Sequence, residues 1–197
     1  MTLPEIADRP GSEALQRAFS RAAGAAVIPG NRVDLLIDGG ATYAQMFAMI
    51  AAASRWIHLE NYIIHDDACG HAFAERLIAR ARAGVTVRVL YDWIGSFSTG
   101  RKFWRSMREA GIDVRAFGSI SITDPLLIFS RDHRKLLVVD GEHAVTGGLC
   151  IGDEWTGNPE KHRLPWRDTA VAVHGPAASA LDAAFVSSWT ASGGRAP

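Results

Sequence analysis

Cysteine is scarce in this sequence, and neither sign of charge is in excess. The 197 residues include only two cysteines, Cys69 and Cys150, which are too few for a disulfide framework. The 21 basic and 21 acidic residues give a formal net charge of zero. A protein that coats nucleic acid carries a basic stripe, and here the arginines are scattered, so the sequence does not favour nucleic acid as a partner.

Long apolar runs are also missing. No stretch has the roughly 18 consecutive apolar residues of a membrane-spanning helix, and the first residues, MTLPEIADRPG, lack the basic and apolar regions of a signal peptide. The two cysteines fit a reducing compartment. The sequence therefore predicts a chain that is cytoplasmic or peripheral to the inner face of the cell membrane.

The residues that are present predict an α/β protein. An apolar fraction of 48% is ordinary for a soluble domain and supports one core. Strand-like and helix-like segments alternate, which predicts a mixed β-sheet with helices on both faces. Residues 1–30 are predicted as an N-terminal helical segment and 31–197 as the domain. The predicted helices are 12–24, 41–53, 69–83, 100–110 and 177–190; the predicted strands include 32–38, 55–64, 85–90, 112–117 and 169–174; Gly39 and Gly40 are predicted as a turn.

The chain is organised around residues 131–154, which predict a β-hairpin. Asp140 and Gly141 stand between two strand-like apolar runs, and this pair is typical of tight turns that need positive φ. At about 3.3 Å per strand residue, Asp140 lies roughly 23 Å from His133. We therefore expect Asp140 to hold the turn rather than to touch the same ligand as His133.

A two-residue loop can be drawn in two registers, which set His133 opposite either Cys150 or Gly148. Both place His133 and Lys135 at the end of the hairpin that carries Gly147 and Gly148. His133 and Lys135 are two positions apart and share one face of a strand. A nucleophilic nitrogen, a fixed positive charge and a glycine that leaves room for a ligand suit a tetrahedral phosphate. A basic surface strand is the alternative.

The spacing His-x-Lys-x4-Asp-x6-Gly-Gly, which starts at His133, resembles the HKD motif of the phospholipase D superfamily. The sequence from RDHRKLLVVDG through GGLCIGDEW to PWRDTAV is most similar to the N-terminal half of bacterial cardiolipin synthase-like proteins. The resemblance extends from about Asn31 to Trp189. Many members carry asparagine at the position of Cys150. The resemblance implies a phospholipase D-like half-domain that works through a phosphohistidine.

The resemblance also implies a catalytic set from the motif and a phosphate pocket beside it. His133 would attack phosphorus, and the charge of Lys135 would stabilise the five-coordinate transition state. Asp168, which follows the motif, is expected to orient His133; the alternative is a surface aspartate that leads a strand. The catalytic set of the motif is His133, Lys135 and Asp140, of which Asp140 is included as the third letter of the motif and is expected to act structurally. The pocket set is Gly147, Gly148 and Cys150.

Three further polar residues form a second tier of candidates. Glu60 lies within a predicted strand and either forms a structural salt bridge, which we favour, or faces the site. Asp92 and Ser96 follow another strand, where α/β proteins place substrate contacts; turn capping is an equally good interpretation. The apolar segment 118–130 forms either a lip of the pocket or core.

One histidine–lysine pair is half of the site that the family's chemistry needs. One histidine attacks phosphorus, and a second protonates the leaving alcohol. The chain has one such pair, so the second half is expected from a homodimer mate or from further C-terminal sequence.

The implied function is phosphatidyl transfer of the cardiolipin synthase type, with a phospholipid or other phosphodiester as substrate and peripheral membrane contact. The alternatives are a phospholipase D-type hydrolase, a homodimeric nuclease, and a catalytically incomplete half-domain that acts as a binding or dimerisation module. No dense cluster of histidine, cysteine and aspartate shows metal-ligand spacing, so the sequence predicts no metal and no cofactor.

Overall fold

The computed structural model of the protein describes residues 12–119, 130–157 and 163–197. Within these ranges the chain forms seven strands and five α-helices. The strands are β1 (Arg32–Ile37), β2 (Trp56–Asn61), β3 (Thr86–Asp92), β4 (Asp113–Phe117), β5 (Leu136–Val139), β6 (His143–Gly147) and β7 (Thr169–His174). The helices are α1 (Ser12–Ala23), α2 (Asp38–Ala52), α3 (Ala68–Arg82), α4 (Arg101–Glu109) and α5 (Pro176–Ala191), and a one-turn 3₁₀ helix spans Asp153–Trp155.

All seven described strands belong to one mixed sheet, in the order β1-β7-β6-β5-β2-β3-β4. β2, β3 and β4 are parallel neighbours, joined by crossover helices α3 and α4. β5, β6, β7 and β1 each run antiparallel to their neighbours in the sheet, and β5 pairs antiparallel with β2. The hairpin of β5 and β6 therefore lies in the middle of the sheet, beside the first parallel strand.

The sheet has helices on both faces, as the sequence predicts. Because side chains alternate along a strand, Leu59 of β2 belongs to the core shared with α2, α3 and α4, which includes Phe73. The other face carries a smaller core against α5, built around Phe185 and Trp189. The α/β fold class is thereby confirmed.

The predicted turn at Gly39 and Gly40 is wrong, because α2 begins at Asp38 and continues through both glycines. The sharp entry into the helix is made one residue earlier, where Asp38 has φ of 63°. Gly39 instead permits a close approach: a Cβ there would lie 2.1 Å from the carbonyl oxygen of Trp155. Gly39 therefore reflects helix packing rather than a turn.

The hairpin turns where the sequence predicts, but both proposed registers are wrong by one residue. Asp140 and Gly141 have φ of 56° and 70°, and the N–H of Glu142 donates to the carbonyl of Val139 at 3.1 Å. The strands then pair Val139 with His143, so Glu142 is an extra residue. A bulge of this kind next to a tight turn is not visible in the hydrophobic pattern.

Two parts of the sequence-based description stay predictions. The division of the chain at residue 30 is not tested, although α1 ends before it and exposes Leu15 and Phe19. Residues 120–129, most of the apolar segment that precedes the motif, lie outside the described residues.

None of the helices in the described ranges combines the length and the apolar character that crossing a membrane requires.

Candidate active site

Tyr62 brings His133 and Lys135 together just beyond the end of β2. The ring centroids of Tyr62 and His133 are 4.5 Å apart, and Nζ of Lys135 lies 5.1 Å from the centroid of the Tyr62 ring. His133 is exposed, whereas Lys135 is buried. Both residues precede β5 rather than lying within it. The spacing argument assumed a strand, but both side chains lie beside the ring of Tyr62.

Lys135 presents a nearly buried positive charge, with 7% of its surface exposed. Its Nζ donates to the carbonyl oxygen of His133 at 2.8 Å. Burial lowers the pKa of Lys135, and the nearby Cys150, Asp132 and Asp168 offset part of this effect. Because water screens a buried charge poorly, the ammonium group is well placed to attract a phosphate oxygen.

Asp168 lies against Gly148 rather than against His133. A Cβ built on Gly148 would lie 2.2 Å from Oδ1 of Asp168, and that oxygen accepts a hydrogen bond from the N–H of Thr169 at 2.7 Å. The N–H of Asp168 donates to Asp38 at 3.2 Å, which fixes its backbone. Among the described residues no hydrogen bond or ion pair joins Asp168 to His133, so the expected orienting contact is not formed within one chain.

Gly147 and Gly148 allow β6 to approach the start of β7. A Cβ on Gly147 would lie 2.5 Å from both the Cα of Ala170 and the carbonyl oxygen of Thr169. The N–H of Gly148 donates to that same carbonyl at 3.2 Å. The expectation that the missing side chains leave room for a ligand is therefore corrected: neighbouring protein atoms occupy the space.

Cys150 is a buried thiol close to the motif. Burial raises its pKa, although Lys135 lowers it in part. A neutral, buried thiol is a poor nucleophile, which agrees with an inert pocket residue. The backbone of Cys150 is anchored by Tyr43, whose hydroxyl donates to its carbonyl oxygen.

Asp140 occupies the turn, at the opposite end of the hairpin from His133. One carboxylate oxygen accepts hydrogen bonds from the N–H groups of Arg55 and Trp56, at 2.7 and 2.9 Å. The other accepts from the N–H and hydroxyl of Ser54, at 2.9 and 2.8 Å. Burial alone would raise the pKa of Asp140, but these donors outweigh it and lower the pKa. The carboxylate thus fastens the turn to the start of β2.

Glu60 points to the α5 face of the sheet and is completely buried. Nη1 of Arg134 donates to both carboxylate oxygens, at 3.0 and 3.1 Å. Burial raises the pKa of Glu60 to about 8, and the neighbouring Asp132 adds to the increase. Because Arg134 directly follows His133, this contact ties the motif to the α5 face of the sheet.

Asp92 and Ser96 cap the loop that follows β3. Oδ1 of Asp92 accepts hydrogen bonds from the next N–H groups of the loop, at 3.0 and 2.8 Å, and Oδ2 accepts from the N–H of Asp132 at 2.9 Å. The hydroxyl of Ser96 donates to the carbonyl of Tyr62 at 3.3 Å. Both side chains therefore hold the backbone on either side of the Tyr62–His133 contact.

Sequence reasoning missed two residues of the site, Tyr62 and Asn61. Asn61 is 2% exposed, its Oδ1 has no hydrogen-bond partner in the described residues, and it lines a small pocket with Lys135, Thr42 and Gly147. A buried amide without partners is costly. An asparagine inside an apolar strand was the available signal; for Tyr62 the sequence offered none.

Metal-ligating side chains do not gather at this site. In the described ranges, the one group of three or more such residues with converging ligand atoms is His65, Asp67 and Glu154. None of these three belongs to the motif. No described cluster of this kind therefore includes His133 or Lys135.

The sheet and its histidine–lysine half-site define a phospholipase D-like domain. The chain belongs to the family described as "Cardiolipin synthase, PLD-like domain", whose model matches residues 46–158. Two curated relatives are similar over most of the chain. Cardiolipin synthase A of Pseudomonas putida (strain W619) is 38% identical over 180 residues, which are 90% of this chain and 37% of the relative.

The second relative is cardiolipin synthase 1 of Bacillus anthracis, which is 39% identical over 156 residues, or 79% of this chain and 30% of the relative. The chain thus spans about a third of the length of these relatives. The resemblance drawn from the HKD motif is confirmed at the level of the family.

Two solved structures share the fold. Nuc of Salmonella typhimurium, a phospholipase D family member, superposes with a TM-score of 0.61 at 19% identity, covering 82% of this chain and 95% of the other. NucT of Helicobacter pylori also gives 0.61, at 10% identity, covering 82% and 97%. One domain of this kind therefore accounts for nearly all of each of those two chains.

Proposed function

We propose that this chain supplies one half-site of a phosphatidyltransferase of the cardiolipin synthase type. The observation that carries the proposal is the exposed imidazole of His133 beside the buried ammonium group of Lys135, joined through Tyr62. Relatives named cardiolipin synthase at 38 and 39% identity support the same reaction.

In the first step an unprotonated nitrogen of His133 attacks the phosphorus of a phospholipid diester. A P–N bond forms, and the bond from phosphorus to the leaving alcohol oxygen breaks. The histidine of the second half donates the proton that the leaving alcohol takes. Lys135 attracts the oxygens of the five-coordinate phosphorus, where negative charge increases in the transition state.

In the second step an acceptor alcohol attacks the phosphohistidine. The histidine of the second half removes the proton of the acceptor as the new P–O bond forms, and the P–N bond to His133 breaks. With a lipid alcohol as acceptor the phosphatidyl group is transferred. With water as acceptor the same steps give hydrolysis to phosphatidic acid.

The second half comes from a homodimer mate or from a second domain. Within this chain Asp168 does not pair with His133, so its orienting role requires a partner half. We propose that the carboxylate of Asp168 approaches the imidazole of the opposite half when the two join. Asp140 has a supporting role, because its four hydrogen bonds lie at the far end of the hairpin.

Peripheral contact with the inner face of a membrane fits a phospholipid substrate. The loop after β3 exposes Phe97 to 75% of its surface and Ile94 to 41%, and Ser96 ties this loop to the backbone of Tyr62. Exposed apolar side chains beside a site indicate an interaction surface. We expect Phe97→Ser to weaken co-sedimentation with anionic vesicles, whereas Phe19→Ser in α1, at 59% exposure, serves as the matched control.

The reaction is tested with phosphatidylglycerol vesicles, by following cardiolipin, glycerol and phosphatidic acid as the protein concentration rises. We expect cardiolipin and glycerol to form together and to vanish with His133→Ala but not with His71→Ala, an exposed histidine paired with Asp66. A rate that rises more than linearly indicates two copies per site. Turnover unchanged by His133→Ala contradicts the proposal, and phosphatidic acid alone assigns the hydrolase reaction.

An inactive monomer would place the second half outside this chain. The same assay then applies to the longer protein that contains it. The proposal still requires that His133→Ala abolish the activity of that longer protein.

A further inference from the structure

The side chains of His65, Asp67 and Glu154 converge at one point outside the motif. Nδ1 of His65 lies 3.3 Å from Oε2 of Glu154 and 3.8 Å from Oδ2 of Asp67. The three ligand atoms all lie within 4.8 Å of one another. Ligand atoms about 2.1 Å from a shared cation lie roughly 3–4 Å apart, so this spacing needs only small adjustments to hold an ion.

Each ligand is carried by a different segment, and each segment is fixed by other bonds. The N–H of His65 donates to the carbonyl of Ile151 at 2.9 Å. Asp67 caps α3, and its Oδ2 accepts from the N–H of Asp153 at 2.8 Å. Glu154 belongs to the 3₁₀ helix that begins at that same aspartate. The ligand set is therefore largely preformed.

Oε2 of Glu154 is buried and has no hydrogen-bond partner with acceptable geometry among the described residues. A buried carboxylate oxygen without a partner is unfavourable and calls for an ion or another donor. Exposure of the three side chains is between 22 and 37%, which leaves a path for an ion and for water ligands.

Gly152 makes the convergence sterically feasible. A Cβ on this residue would lie 2.6 Å from Oε2 of Glu154, 3.0 Å from Nδ1 of His65 and 3.5 Å from Oδ2 of Asp67. All three ligand atoms thus surround the space that a side chain at Gly152 would fill. Another residue at this position would push the ligands apart.

We propose that His65, Asp67 and Glu154 bind a first-row divalent cation, of which zinc and manganese are the best matches. One imidazole nitrogen and two carboxylate oxygens suit these ions, whereas calcium and magnesium prefer oxygen alone. Water completes the coordination. The alternative without an ion is a direct contact between His65 and Glu154.

The ion would join the loop after β2 to the segment after β6. That second segment follows directly on Cys150, and the carbonyl of Glu154 also accepts a hydrogen bond from the N–H of Trp166 at 2.8 Å. A cation at this point would stabilise the backbone around the phosphate pocket without touching His133. The inference does not depend on the proposed reaction.

The test measures binding and stability rather than activity. Protein freed of metal by a chelator is titrated with zinc chloride and with manganese chloride in a calorimeter, and thermal unfolding is followed with and without each ion. We expect one ion per chain and a higher Tm in its presence. We expect His65→Asn and Glu154→Gln each to weaken binding at least tenfold, and either variant alone suffices if the other does not fold.

Two control variants separate this site from other histidine pairs. His71→Asn removes an exposed pair with Asp66 at 2.9 Å, and His143→Asn removes a close contact with His174, whose Nδ1 lies 2.9 Å away. Both variants should bind the ion like the unmodified chain. The proposal is overturned if neither ion binds or stabilises the protein, if both ligand variants keep full affinity, or if His143→Asn abolishes binding.

Discussion

The buried carboxylate of Glu60 is held by Arg134, whose Nη1 lies 3.0 Å from one oxygen and 3.1 Å from the other. The same nitrogen also donates to the hydroxyl of Ser188 on α5 at 2.7 Å. Asp132 lies close enough to Glu60 to raise its pKa, and Oδ2 of Asp132 has no hydrogen-bond partner in the described residues. Burial, which disfavours the charged form, and the nearby Asp132 together favour the protonated form of Glu60. Arg134, the neighbour of His133 in the chain, is thus fixed to Glu60 and to α5.

Stability should decline with rising pH because of Glu60. Burial, followed by Asp132, raises the pKa of Glu60 from 4.5 to about 8 in the folded chain. Between these values the folded state holds a proton that the unfolded state releases, so the free energy of unfolding falls as pH rises. Glu60→Gln has no such proton. We expect its Tm relative to the unmodified chain to increase by at least roughly 4 °C from pH 5 to pH 8.

The control for this experiment is Glu142→Gln. Glu142 also pairs with an arginine, Arg55, at 2.7 Å, but its side chain is 67% exposed. Its variant should track the unmodified chain at every pH. A pH-independent difference between Glu60→Gln and the unmodified chain would contradict the raised pKa of Glu60.

Asp140→Asn should destabilise the fold while leaving the chemistry of the site intact. An amide can accept with its oxygen alone, so two of the four hydrogen bonds from Ser54, Arg55 and Trp56 are lost. We expect a loss of about 1–3 kcal/mol in the free energy of unfolding, measured with denaturant. Asparagine tolerates the positive φ of this position, which isolates the effect to the hydrogen bonds.

Asp113→Asn provides the comparison for Asp140. Asp113 is 54% exposed and makes one loose contact with Arg115 at 3.7 Å, so its variant should unfold like the unmodified chain. Turnover by folded Asp140→Asn should stay within about twofold. A large loss of activity without a loss of stability would instead give Asp140 a direct part in the reaction.

The elements of the fold were predictable because their periodicity is local. Strand 169–174 matches β7 residue for residue, and the other elements that both describe differ by a few residues at their ends. The predictions that fail concern positions where contacts between residues distant in sequence determine the structure. Gly39 is needed in α2 because the carbonyl oxygen of Trp155 leaves no room for a Cβ, and the hairpin register depends on one bulged residue, Glu142.

The sequence identifies some residues of the candidate site, but it does not predict how they are arranged in space. The motif indicates His133 and Lys135, since their spacing carries the resemblance. The location of Asp168 depends on how β7 starts beside β6, which no local pattern encodes. His65, Asp67 and Glu154 escaped detection for the same reason: Glu154 is far along the chain from the other two, and only the folded sheet brings them together.

Tyr62 should act as a positioning residue for the motif. Its ring contacts the imidazole of His133 and lies within cation–π range of Lys135, at 5.1 Å. On the proposed function, Tyr62→Phe keeps this ring and should retain activity, whereas Tyr62→Leu should lower kcat about tenfold with little change in KM, about 1.4 kcal/mol. Steady-state kinetics on phosphatidylglycerol vesicles distinguishes the two.

A purely structural role for Tyr62 would give a different result. Tyr62→Leu would then lower Tm, and restoring the folded fraction at lower temperature would restore kcat. Equal kcat for Tyr62→Leu and Tyr62→Phe in fully folded protein would remove the positioning role.

Gly147→Ala should lower the free energy of unfolding more than Gly148→Ala does, and Gly40→Ala should raise it. A Cβ at Gly147 meets backbone atoms of Thr169 and Ala170 at 2.5 Å, so β6 and β7 must separate, at a cost of about 3 kcal/mol. At Gly148 the obstacle is the carboxylate of Asp168, at 2.2 Å, which can rotate away for about 1 kcal/mol.

Gly40 supplies the matched control, since it lies in α2 and a Cβ there meets nothing within 4 Å. Alanine at this position should add about 0.5–1 kcal/mol to the free energy of unfolding. Denaturant titration of the three variants gives the order of their stabilities directly.

Because Gly148→Ala displaces Asp168, adding Asp168→Ala should recover most of the stability that Gly148→Ala loses, without recovering activity. If Gly147→Ala and Gly148→Ala are equally mild, the glycines are not needed for the approach of β6 to β7, and room for a ligand becomes the better reason for their presence.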